Sequence, residues 1–136
     1  MSLTVRRTIS ILAIVTEQLK EELRAELQEA IDTTQRRVDQ MDFQSRRFLA
    51  DLQATDLTQA MAARRQIEAE KRRHEALKQD LVEQLAEVDK LEMGAEFPRG
   101  NLEGTVDINV GDDLMKQVGG ATIVIKDGAV VEIREV

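Results

Sequence analysis

Four arginine doublets in the middle of the chain are its most chemically pointed feature: Arg36-Arg37, Arg46-Arg47, Arg64-Arg65 and Arg72-Arg73. A guanidinium is a planar, permanently charged fork that bonds carboxylate or phosphate through two parallel N–H groups, so doublets of this kind suit recognition of oxyanions. They lie within residues 33–78, which carry ten basic and seven acidic groups, a balance of +3. Residues 17–32 hold two basic and six acidic groups, and residues 79–92 hold one and five, so the two flanks together carry −8. The whole chain has a formal charge of −7, which argues against simple coating of nucleic acid or of an anionic membrane. The plainer reading of the doublets is a solvated helix whose charges pair locally.

Other reactive types are sparse. The chain has no cysteine, which excludes disulfides, thiolate metal sites and a cysteine nucleophile. With no export signal evident, this points to the cytoplasm. His74 is the single histidine, so no second imidazole completes a metal set. Asp112-Asp113 suits a turn and a helix cap better than paired-carboxylate chemistry, and Gly119-Gly120 fits no phosphate-binding loop. Asp51 and Asp56 fall at an interruption in the helical pattern, in the stretch Asp51 to Thr58. Factors of the Gre type, which enter the secondary channel of RNA polymerase, likewise join a helical hairpin to a globular domain and hold a metal with acidic tip residues. Capping and solubility are the simpler roles for these two acids. Only three aromatics are present, Phe43, Phe48 and Phe97, too few for a deep ligand pocket or a base-stacking platform. These features predict no enzyme, no cofactor and no metal.

The elements that would position the doublets are legible from periodicity. Residues 1–15 form a strand-like block in which Val5, Ile9, Ile11, Ala13 and Val15 share one parity. The apolar run Ile9 to Val15 is far shorter than the ~20 residues of a membrane helix. From Thr16, an N-cap residue, to residue 92 there is no Pro and no Gly. Leu27, Ile31, Thr34, Val38, Met41, Ser45, Phe48 and Leu52 repeat at alternating steps of four and three, a heptad seam. A pause at 54–58 separates this arm, 17–53, from a second, 58–92, whose seam reads Ala60, Ala63, Ile67, Glu70, His74, Leu77, Leu81, Gln84, Val88 and Leu91. Nearly equal arms predict an antiparallel coiled-coil hairpin rather than one continuous helix, with facing residue numbers adding to about 111. That places Arg46-Arg47 opposite Arg64-Arg65 and Arg36-Arg37 near Arg73 and His74. Phe43 falls opposite the seam, where it suits a second interface.

Residues 93–102 contain Gly94, Pro98 and Gly100 and read as a linker. Residues 103–136 read as three further strands, at 105–110, 121–125 and 129–133, with Asp127-Gly128 a two-residue type I′ hairpin turn. Asp113 to Val118 fits one helical turn. The hairpin returns the chain to its start, so the predicted fold is α+β. A long antiparallel hairpin projects from a small antiparallel sheet or open barrel, which the first strand builds with the last three.

This arrangement resembles the YlqD-like family of small bacterial proteins. Phe43-Gln44, Glu103-Gly104-Thr105-Val106, Val110-Gly111-Asp112 and the run Ile123 to Ile133 carry the resemblance, which spans nearly the whole chain. It implies no active-site residues, because the family is uncharacterised. It also implies a genomic setting near ribosome-maturation genes, and so a link to RNA.

The expected function is therefore that of a cytoplasmic, non-enzymatic interaction or scaffold protein that presents the arginine-rich arm to an unknown protein partner. Homodimerisation through a strand edge or through Phe43 accompanies this reading. A ribosome- or RNA-associated factor that touches phosphate with the distal hairpin is the alternative, followed by a polymerase-channel factor with an acidic tip. A prefoldin-like holdase ranks last, since that class places its strands between the helices. No membrane contact is expected.

Overall fold

The computed structural model describes residues 1–135. The chain divides into two compact units, Met1–Glu21 with Leu91–Val136, and Glu22–Lys90.

The first unit is a four-stranded sheet with the order β2-β1-β3-β4. Its strands are β1 (Ser2–Ile14), β2 (Glu96–Asn109), β3 (Ala121–Lys126) and β4 (Ala129–Arg134). β1 is central: it pairs antiparallel with β2 from Ser2↔Asn109 to Ile14↔Glu96, and parallel with β3 from Ile9↔Ala121 to Ala13↔Ile125. The sheet is thus mixed, whereas a wholly antiparallel one was expected. β3 runs alongside β1, and the short helix α1 of this unit (Leu114–Val118) precedes it. Asp113 caps that helix by accepting from the Lys116 amide at 3.2 Å, and Asp112 closes the preceding turn by accepting from the Asn109 amide at 2.8 Å.

Residues 96–102, expected as linker, belong to β2. Pro98 and Gly100 do not break the strand because of where they stand. β2 is an edge, so the missing amide of Pro98 removes no ladder bond on its free side. The register shifts between Ile11 and Leu12, where Ile11 pairs Gly100 and Leu12 pairs Pro98. Arg99 is therefore the extra residue of a bulge, and Gly100 beside it has φ +139°, a backbone state that glycine supplies without strain. β3 and β4 join through Asp127 (φ 50°) and Gly128 (φ 86°), the positive pair that a type I′ turn requires.

Ala13, Val15, Ala121 and Val124 are buried in this unit, Val124 almost completely at 1% exposure. Leu19, from the first turn of the long helix, is buried as well. Thr16 caps that helix by accepting from the Leu19 amide at 3.1 Å, and its hydroxyl donates to Asp127 in the β3–β4 turn at 2.5 Å. The sheet does not close into a barrel, but it curls far enough for its two edges to touch. Arg134 of β4 forks onto Glu96 of β2 (3.0 Å through one pair) and also bonds Glu132 at 3.0 Å.

The second unit is an antiparallel helical hairpin. Its helices are α2 (Glu17–Thr55), which begins in the sheet unit, and α3 (Leu57–Val88). The chain reverses on Asp56 alone, a shorter turn than the predicted 54–58. Thr55 stays helical because its hydroxyl bonds the Asp51 carbonyl at 3.1 Å, and Asp56 takes an extended conformation (φ −152°) that caps α3. No helix among the described residues is long and apolar enough to cross a membrane.

Two outcomes follow. Val124→Ala leaves a cavity in the sheet core and should cost about 2 kcal/mol of stability, read as a lower urea midpoint at unchanged slope. The hydrogen bond from Arg134 holds the Glu96 and Glu132 carboxyls below their ordinary value of 4.5. A depressed carboxyl stabilises the fold above its unfolded value, and that contribution is lost as pH falls through the folded one. The urea midpoint of wild type should therefore exceed that of Arg134→Met near neutrality, and the gap should close below about pH 4. A gap that persists unchanged into acid would show that the ion cluster does not latch the two edges.

Candidate partner-binding surface on the helical hairpin

The register of the hairpin decides which side chains share a surface. Among the described residues, polar contacts that join its arms include Arg24 Nε to Asp89 Oδ1 at 3.1 Å, Lys78 Nζ to Gln35 Oε1 at 2.7 Å, and the ion pair of Lys71 with Asp42. Each pair of residue numbers adds to 113, against the expected 111. The difference follows from the one-residue reversal, which moves the midpoint of the hairpin beyond Asp56. Arg46-Arg47 therefore face Ile67 and Gln66, and Arg64-Arg65 face Leu49 and Phe48.

The seam of α2 runs as predicted through buried Ile31, Thr34 and Val38 and half-buried Met41 and Ser45, with Thr34 donating to the Ala30 carbonyl at 2.8 Å. The seam of α3 does not. Its covered positions run through Ala60, Ala63, Ile67, Lys71, His74, Lys78, Leu81, Leu85 and Val88. Lys71, Lys78 and Leu85 take the places expected for Glu70, Leu77 and Gln84, and Leu77 is left 47% exposed. Apolar character drew the expectation to Leu77. The structure instead seats two lysines in the seam, because each finds a polar partner one heptad apart on α2: Gln35 for Lys78 and Asp42 for Lys71. That spacing was present in the sequence, since Gln35 and Asp42 are seven apart, as are Lys71 and Lys78.

These two rungs stitch one side of the hairpin, and the other side is open. A groove of ≈ 460 Å³ runs along it, floored by Met41, Phe48 and Ile67 and edged by Arg37, Glu70 and His74. Phe48 is a seam residue yet stays 54% exposed, because two helices alone cannot cover it from this side. Nothing in the sequence reading foresaw the groove.

The arginines are distributed over both sides. Arg36 bonds Glu29 at 3.3 Å and Thr33 at 3.0 Å. Arg37, Arg46, Arg47, Arg64, Arg65, Arg72 and Arg73 form no ion pair or side-chain hydrogen bond among the described residues. The reading in which the doublets pair locally thus holds for one arginine of the eight. Arg37 lines the groove. Arg47, seven residues after Gln40 of the groove, and Arg73, three after Glu70, occupy the same flank by helical repeat. Arg46, Arg65 and Arg72 fall on the stitched flank, where Arg72 lies beside Lys71, Glu68 and Glu75.

Phe43 is 81% exposed on the outer face of α2 and is not brought to the groove. Of the two tip acids, Asp56 is engaged as a cap, its carboxylate accepting from the Gln59 amide at 3.1 Å, while Asp51 is exposed. Among the described residues no three metal-ligating side chains gather. Near the tip Leu57 and Met61 are also exposed, a second apolar feature that the sequence reading passed over.

Polar residues in an apolar seam specify register at a cost in stability. Replacing Lys71 and Lys78 together by leucine should raise stability by about 1 kcal/mol while relaxing the alignment of the arms. Spin labels at positions 43 and 70, which lie at the same level of the two arms, should then show a broadened distance distribution. A narrow, unshifted distribution would remove the rungs as the source of register.

The family described as "YlqD protein" matches residues 3–134. The "Uncharacterized protein YlqD" of Bacillus subtilis (strain 168) is 31% identical over 130 residues, which cover 93% of this chain and 94% of that protein. Among solved structures, a protein of unknown function from Synechococcus sp. WH 8102 is similar with a TM-score of 0.85 at 26% identity, over 99% of this chain and 96% of that one. Family match and relative span nearly the same residues, so the chain belongs to the YlqD family.

Proposed function

We propose that this is a non-enzymatic, cytoplasmic interaction protein whose helical hairpin docks onto an acidic surface of a protein partner. The single observation that carries the reading is the set of seven arginines that have no ion-pair or hydrogen-bond partner among the described residues. An arginine that costs side-chain entropy to order and gains no internal bond is available for an external oxyanion. Phe43, exposed on the same arm, supplies the kind of aromatic anchor that protein interfaces favour. Phosphate would satisfy the same forks, and an RNA backbone is the competing ligand. The shortage of aromatics on the arm and the net charge of −7 weigh toward protein.

The test uses Arg46→Glu, Arg65→Glu and Arg72→Glu in one chain, three changes on the stitched flank that leave the groove intact. Immobilised wild type should retain a defined acidic protein from native cytosol, and the triple variant should lose it by about tenfold or more. Equal retention by both chains would overturn the proposal. In a parallel gel shift with ribosomal RNA fragments, binding that falls steeply between low and physiological salt and vanishes in the triple variant would transfer the arm to RNA.

A further inference from the structure

The open groove has a flank whose charges complement themselves, and we infer that it is filled by the same groove of a second copy, the two hairpins lying antiparallel as a four-helix bundle. This rests on the reading of the hairpin as a docking arm and names the partner of one of its two sides.

The argument begins with what the groove lacks. Met41, Phe48 and Ile67 form an apolar floor that α2 and α3 do not cover between them, and Leu77, seven residues after Glu70, prolongs it as an exposed leucine. Helices that expose such a stripe are covered by further helices at about 10 Å separation. The flank beside the floor is graded in charge. On α2, Glu26 stands three heptads before Arg47, and on α3, Asp80 stands one heptad after Arg73. Each pair therefore lies along one side of its helix, acid towards the open end of the hairpin and arginine towards the tip.

The two pairs share one centre. The midpoint of Glu26 and Arg47 falls between Arg36 and Arg37. The midpoint of Arg73 and Asp80 falls between Ala76 and Leu77. Under the register in which facing numbers add to 113, Arg36 faces Leu77 and Arg37 faces Ala76, so both midpoints lie at the same level of the hairpin. A two-fold axis there, lying in the plane of contact and perpendicular to the helices, sets α2 antiparallel on α2 and α3 antiparallel on α3. Arg47 then meets Glu26 of the second copy, and Arg73 meets its Asp80. Leu77 packs on its symmetry mate at the axis, and the two grooves close on each other. Each contact occurs twice, as a closed two-fold assembly requires. Arg37 lies near the axis close to its own mate, and that repulsion is the cost of the arrangement.

The acidic counterpart to Arg47 and Arg73 is thus found in the chain itself, at matching spacing. Among the described residues, neither Arg73 nor Arg47 has an internal partner to give up. The stitched flank, with Arg46, Arg65 and Arg72, stays outward in this dimer and remains available to another partner.

Sedimentation velocity of the purified full chain across a concentration series, at low and physiological salt, reads the assembly without any other partner. Wild type should dimerise. Arg73→Asp should weaken the dimer by about tenfold by opposing two acids, and Asp80→Arg should do the same by opposing two arginines. The double swap, Arg73→Asp with Asp80→Arg, should restore the wild-type constant, because the two residues are too far apart within one chain to compensate each other. Leu77→Ser should weaken the dimer with little salt dependence. A wild type that stays monomeric at high micromolar concentration overturns the inference, as does a dimer indifferent to both single changes or one not restored by the swap. Loss of the acidic partner in the Arg46/Arg65/Arg72 variant with an unchanged dimer separates the two proposals, since that variant leaves the groove flank untouched.

Discussion

Two lysines set the geometry of the hairpin. Lys71 and Lys78 stand where an all-apolar seam would place leucines, and each is satisfied by one polar residue of the opposite arm. An apolar seam tolerates slippage by a heptad, because one leucine packs much like another. A cation that must meet Asp42, and another that must meet Gln35, removes that freedom. Which arginines of the two arms share a flank depends on this alignment. A shift of two residues, the difference between the expected and observed registers, would carry the midpoint of Arg73 and Asp80 away from that of Glu26 and Arg47.

The sheet unit solves a different problem, that of a small sheet assembled from distant parts of the chain. β1 pairs on both sides and so contributes the hydrogen-bonding frame for β2 and β3 alike. The edges are handled unequally. β2 carries Pro98, a bulge at Arg99, and the acids Glu103 and Asp107, all devices that discourage pairing with a further strand. β4 exposes Val130, Val131 and Ile133, and its protection is the fork of Arg134 onto the other edge. The same ion cluster therefore shapes the curl and guards the less protected strand.

Much of this was legible in the residues. The Asp127-Gly128 turn, the Thr16 and Asp113 caps, the α2 seam and the membership of the first strand in the sheet all follow from local chemistry, where a residue type has one dominant use. Errors arose where tertiary context chose between uses. Pro98 and Gly100 punctuate loops in general, but on an edge strand with a bulge they are tolerated. Leu77 looked like seam, yet a lysine with a cross-arm partner outcompeted it. The parallel pairing of β1 with β3 could not be read from alternation, which reports burial and not direction. Among the candidate residues, the arginine doublets are conspicuous in the sequence as a set. Their division between two sides, and the groove between them, required the register.

The single-residue reversal at Asp56 has a consequence for how this arm can change in evolution. With no loop to absorb slack, an insertion in one helix alone misaligns every rung beyond it, whereas insertions of seven residues at matching levels of both helices preserve them all. The arm is then a ruler graduated in paired heptads, each adding about 10 Å of reach. Arm length among related chains should vary in steps of fourteen residues while the strands at either end stay unchanged. Reach could then be tuned to a partner's dimensions separately from the fold that anchors it.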